Sequence, residues 1–150
     1  MMTAAEALQR WREAHGRSAA NENTIPSPAP AGEGQGEGKS RIFWVALGPL
    51  QVPVPHPGQL HFHDLHHVMT GYAPDVIGEI EISAFELRTG VKTPMVFFLC
   101  IAGIALGLLI APRRTWRAWK RGSGRRNLYG QKWSDVQHWP LSDLRSFTGI

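Results

Sequence analysis

The chain has 150 residues, a formal net charge of +4 and one cysteine, Cys100. That length allows at most one ordinary domain, and a single cysteine excludes an internal disulfide framework. The charge is unevenly placed: eight basic and no acidic residues lie between Arg113 and Lys132, so the rest of the chain is net negative.

Residues 1–19 read as a short N-terminal helix or tail, with Ala4, Ala5, Leu8, Trp11 and Ala14 among mixed charges. No apolar run follows a basic start, so a secretory leader is not expected. Arg10, Arg12 and Arg17 hint at a mitochondrial presequence, but Glu6 and Glu13 argue against one, because such presequences are poor in acids. Residues 20–40 carry Pro26, Pro28 and Pro30 and then alternate Gly32, Gly34, Gly36 and Gly38 with polar residues. This composition buries too little apolar surface to offset chain entropy, and a disordered linker is expected. Residues 41–150 then form the domain, with roughly 110 residues available for a core, so help from a metal, a membrane or a second copy is expected. Within it, Arg41 to Val54 is apolar but broken by Gly48, Pro49 and Pro53, and reads as one short helical or extended segment.

Five of the seven histidines fall between His56 and His67. His63 and His67, four apart, project from one face of a helix, with Asp64 on the edge of that stripe. Gly71-Tyr72-Ala73-Pro74 marks a helix stop and restart. If the second helix folds back, His67 lies about 6 Å from the turn and Glu79 about 7.5 Å, at 1.5 Å rise per residue. His63, Asp64, His67 and Glu79 then converge on a helical hairpin spanning about residues 58–88. In the second helix Val76, Ile80, Ala84 and Leu87 form an apolar stripe, Glu79 borders it, and Glu81 is expected to face solvent. His66 reads as a polar neighbour of the ligands. Glu86 shares the Glu79 face; it could assist proton transfer, although an ion pair with an arginine is the expected role.

Met95 to Ala111 is a run of seventeen uncharged residues. As a helix it spans about 25 Å, slightly short of a bilayer core of about 30 Å. Gly103 and Gly107 would let another helix approach closely. An apolar helix followed by cationic and aromatic residues fits contact with anionic headgroups. The lipid-facing candidates are Phe97, Phe98, Leu99, Ile101, Leu106, Leu108, Leu109, Arg113 and Arg114. Nucleic acid is the lesser reading of the basic run, because the adjoining apolar helix makes lipid the more natural partner. The remainder, from Trp133 to Ile150, reads as a short helix from Leu141 onwards. The fold expected is therefore all-α: a helical hairpin with a metal site, one strongly apolar helix and a basic C-terminal helical region.

Two histidines and two carboxylates suit Zn²⁺, and on ligand chemistry alone also Fe²⁺ or Mn²⁺. The pattern His63-Asp64-x-x-His67, eleven residues, then Glu79 resembles the signature of the coenzyme Q biosynthesis protein four family. Thr70-Gly71-Tyr72, Gly78-Glu79 and the closing segment with Trp133, Trp139-Pro140-Leu141, Leu144-Arg145 and Gly149-Ile150 are similar to the same family. The resemblance covers about residues 56–150. It implies zinc at His63, Asp64, His67 and Glu79, and a role in ubiquinone biosynthesis. That role is the metal-dependent, oxidative or simple, decarboxylation of a polyprenylated hydroxybenzoate ring at a membrane surface. It further implies a polyprenylated quinone precursor, membrane lipid and other quinone-biosynthesis proteins as partners, and the small size of the domain adds the expectation of a homo-oligomer. The expected location is the cytoplasmic side of a bacterial inner membrane, or the matrix side of the mitochondrial inner membrane in a eukaryote. Two alternatives stand beside it: a non-catalytic lipid-binding scaffold of the same complex, and, more remotely, a di-iron membrane hydroxylase. The latter needs about eight histidines in three boxes, which this chain lacks.

Overall fold

The computed structural model describes residues 1–16, 42–47, 50–55 and 60–150. The expected linker at 20–40 and His56 lie outside the described residues. The described chain is mostly helical, with seven helices and one two-stranded antiparallel hairpin.

Helix α1, Ala4–Ala14, starts from a capping box. The Thr3 hydroxyl accepts from the Glu6 N–H and the Glu6 carboxylate accepts from the Thr3 N–H, which satisfies two otherwise orphaned donors. Ala4 and Leu8 join Phe62, Leu65, Met69, Leu128, Val136 and Leu144 in one core, so α1 is part of the domain's interior. The Ala4 N–H donates to the Trp139 carbonyl at 2.8 Å and the Leu141 N–H to the Met2 carbonyl at 3.1 Å, tying the first residues to the last helix.

The segment read as short helical or extended pairs strand β1, Ile42–Leu47, with β2, Leu50–Pro55, placing Trp44 opposite Pro53 and Val45 opposite Val52. This hairpin is the departure from an all-helical chain. Both strands of a two-stranded sheet are edges, which is why prolines are tolerated there.

Helices α2, Leu60–Thr70, and α3, Val76–Thr89, are joined by residues 71–75. Gly71 ends α2 at φ +75°, a left-handed conformation that favours glycine. Asp75 then caps α3 by accepting from the Gly78 N–H at 2.7 Å. A side chain at Gly78 would collide with the Ala73 carbonyl, so the turn can fold down on α3 only over a glycine.

Helix α3 runs through the centre, with Ile80, Ile82, Ala84 and Phe85 all buried. Against it pack α4, Pro94–Ile110, and α5, Pro112–Arg121, each with proline in its first turn. Gly103 and Gly107 provide the close approach expected of them, and the helix they admit is α3. A Cβ at 103 would lie 2.9 Å from Ser83 Oγ, and one at 107 would overlap Ile80 and Thr115. Glu81 does not face solvent as expected. It is buried beneath α5 and held by Arg114, Nε to Oε1 at 2.9 Å and Nη2 to Oε2 at 2.6 Å. The helical periodicity of α3 alone could not show that α5 folds back over this face.

The outer face of α4 stays uncovered: Phe98, Leu108 and Leu109 are 68, 55 and 83% exposed, beside exposed Phe97, Leu99, Ile101 and Ile110. Leu106 is only partly exposed, and Arg113 is exposed. Among the described residues no helix is long and apolar enough to cross a membrane. After α5 the chain returns across α2, burying Leu128 and Tyr129, and ends in α6, Trp133–Val136, and α7, Leu141–Thr148.

Candidate metal centre

Three of the four expected ligands meet. His63, His67 and Glu79 each offer one ligand atom, and these atoms lie within 4.8 Å of one another. The local sequence explains the meeting. His63 and His67 share a face of α2, and the turn capped by Asp75 puts Glu79 in the first turn of α3, where the helix dipole favours a carboxylate. The Glu79 carboxylate spans the two rings, with Oε2 at 3.1 Å from His63 Nε2 and Oε1 at 3.6 Å from His67 Nε2.

Each imidazole is oriented from behind. His67 Nδ1 lies 3.0 Å from the Tyr72 carbonyl, which can only accept, so Nδ1 carries a proton and Nε2 is the nitrogen left to ligate. That Nε2 is buried and has no hydrogen-bond partner among the described residues. A buried ring nitrogen 3.6 Å from a carboxylate oxygen, without a hydrogen bond, is an arrangement that a shared divalent cation would satisfy. The indole of Trp11 stacks on the His67 ring at 5.4 Å between centroids and 23° between planes, covering the site from α1.

His63 lies between two carboxylates. Its Nδ1 is 3.1 and 3.2 Å from the Glu86 oxygens while Nε2 faces Glu79. Burial opposes its charge, but Glu86 and Glu79 outweigh burial and hold His63 well above the usual histidine value. The same cluster acts on the acids. Burial pushes both carboxylates up, yet the hydrogen bonds and charge of His63, with His67 beside Glu79 and His66 beside Glu86, hold both well below the carboxylate range.

Glu86 does not pair with an arginine. It is buried and accepts from His63, from His66 Nδ1 at 2.7 Å and from the Tyr129 hydroxyl at 2.6 Å. His66 Nε2 accepts the Leu128 N–H at 3.0 Å, so both its ring nitrogens are used and it stands behind the ligands rather than among them. Tyr129 was not visible as a site residue in the sequence, because nothing in its neighbourhood marks a tyrosine returning from beyond α5. Burial, then the neighbouring Glu86 charge, pushes its phenol well above the usual value and keeps it a donor.

Asp64 does not join the three. It is buried towards α1, where Arg12 reaches its Oδ2 with Nε at 2.9 Å and Nη2 at 2.8 Å. Arg12 had drawn notice only as part of a possible presequence, so sequence separation hid this contact. The group as built can bind a divalent cation through two nitrogens and one carboxylate, with room in the ligand set for a further donor. Compared with protein-family models, with curated proteins and with solved structures, the chain finds no match.

Proposed function

We propose that His63, His67 and Glu79 hold a divalent metal, and that the chain uses it in ubiquinone biosynthesis to decarboxylate a polyprenylated hydroxybenzoate ring at a membrane surface. The observation that supports metal binding most directly is the buried Nε2 of His67, which has no hydrogen-bond partner among the described residues and lies 3.6 Å from Glu79. Two nitrogen donors and one carboxylate favour Zn²⁺, and the same set accommodates Fe²⁺ or Mn²⁺. A metal in such a site supplies positive charge that can hold a carboxylate or phenolic oxygen and stabilise the negative charge left on the ring as carbon dioxide departs.

The chain's own residues have separate tasks. Tyr72 fixes the His67 ring through its carbonyl, and Glu86 fixes His63 through Nδ1. Trp11 shields His67 from water. The exposed face of α4 offers a polyprenyl tail an apolar surface on the helix that packs beside Ile80 and Ser83, one and four residues beyond Glu79. In this reading Arg113 and its cationic neighbours on α5 meet anionic headgroups, and their charge supports the cytoplasmic or matrix side of the membrane. Asp64, which the family resemblance also assigns to zinc, would enter the set only on leaving Arg12.

The second reading, a lipid-binding scaffold for other quinone-biosynthesis proteins, is favoured by the same uncovered face of α4, which can bind lipid or a second copy without chemistry. The test is the quinone-lipid profile of a source-organism strain lacking this chain, rescued with wild type or Glu79→Ala at equal protein level. The expected result is ubiquinone restored by wild type alone, with the variant accumulating a ring that still bears its carboxylate. Full rescue by Glu79→Ala assigns the scaffold role, and normal ubiquinone without the chain removes the pathway.

A further inference from the structure

A second polar cleft lies on the other side of the α2–α3 turn. It encloses about 570 Å³ between the turn and α5, lined by Thr70, Tyr72, Glu81, Arg114, Arg117 and Arg121 among others. The three arginines are spaced three and four residues apart, which puts them on one face of α5.

Two of them are fixed in place. Arg114 is held by the buried Glu81 in a two-bond fork. Arg121 donates to the Thr70 carbonyl at 2.8 Å, and its guanidinium lies over the Tyr72 ring at 5.3 Å from the centroid. Arg117 sits between them; its one hydrogen bond among the described residues is to the Arg113 carbonyl at 3.3 Å, and it has no acidic partner among them. Three guanidinium groups against one carboxylate leave the cleft with a net positive charge of about two. Because two of the groups are already ordered, an anion entering between them meets little further ordering cost.

We propose that this cleft binds a phosphate-type anion, either the phosphate of a lipid headgroup or that of a free phosphate ester. Guanidinium groups match phosphate oxygens in paired hydrogen bonds, and several acting together favour a group with multiple charges over a single carboxylate. The site is separate from the metal triad, because none of the triad lines it. It is also adjacent to it, since Tyr72, which lines the cleft, accepts from His67 through its carbonyl.

The test uses the full chain in detergent micelles, titrated with inorganic phosphate and with a short-chain alkyl monophosphate. Phosphatidylcholine vesicles with and without phosphatidylglycerol provide the second arm. Arg117→Gln is compared with Arg10→Gln, which removes the same charge at an exposed position outside the cleft. Arg117 holds no buried partner, so both variants are expected to unfold at the wild-type temperature. The expected result is binding that weakens about tenfold in Arg117→Gln and stays near wild type in Arg10→Gln. Saturation with the soluble phosphates assigns a free ester, and saturation with the anionic vesicles alone assigns a lipid headgroup. Equal losses in the two variants would mean diffuse charge attraction and overturn the site, as would wild-type binding by Arg117→Gln in every assay. Neither result bears on metal binding.

Discussion

Glu86 and His63 determine how the site behaves before any metal arrives. In the metal-free protein the depressed Glu79 and Glu86 contribute stability that is present above the ordinary carboxylate value of 4.5 and lost as pH falls through their lowered values. The raised His63 contributes stability that is present below 6.5 and lost as pH rises through its raised value. Chelator-treated protein is therefore expected to be most heat-stable between these limits. Thermal unfolding followed across pH checks this, and a profile unchanged in Glu86→Gln contradicts it. Removing the Glu86 charge also loosens the hold on His63, and such changes behind a ligand weaken metal affinity about 10- to 100-fold. Asp64→Asn should leave affinity much closer to wild type, because Asp64 is occupied by Arg12; a loss equal to that of His67→Ala would show that Asp64 ligates after all. Cys100 is buried, and burial pushes its thiol well above the usual value. It should resist alkylation in the folded protein and react on unfolding.

Among the elements, α3 carries both sides of the argument, with Glu79 in the candidate metal triad, Glu86 behind His63, and contacts to the apolar helix α4 at Ile80 and Ser83. Gly107 lies where Ile80 and Thr115 leave no space, so Gly107→Val should cost about 1–3 kcal/mol in chemical unfolding. Leu8→Ala should cost about 2–5 kcal/mol, since Leu8 is buried in the main core. A Leu8→Ala variant as stable as wild type would mean that α1 is dispensable. The sequence made the hairpin legible because its signals are local: a four-residue histidine spacing, a glycine stop and a capped restart. Contacts made across long separations were not legible. Arg12 reaches Asp64 over 52 residues and Tyr129 reaches Glu86 over 43, and no periodicity records either. The solvent-facing reading of Glu81 failed for the same reason, since Arg114 arrives from 33 residues away.

At the scale of the whole molecule, the described residues include a strongly apolar helix, α4, packed on one side and exposed among them on the other. Singly exposed apolar side chains are ordinary, but a contiguous row from Phe97 to Ile110 beside a cationic helix calls for a partner. Phe98→Glu combined with Leu109→Glu is expected to abolish flotation with anionic vesicles while leaving thermal stability near wild type. Unchanged flotation would contradict lipid contact through α4. The uncovered face is consistent with the expectation that a domain of this size needs help from lipid, metal or a second copy.

The central claim is that two histidines of α2 and one glutamate of α3 share a metal. Elemental analysis of the full chain, purified without chelator, tests it most directly when wild type is compared with His67→Ala and Glu79→Gln. The account predicts about one divalent metal ion per chain in wild type, and its loss from both variants while their helical circular dichroism is retained. Equal metal content in all three proteins, or none in wild type after reconstitution with Zn²⁺, Fe²⁺ or Mn²⁺, would contradict it.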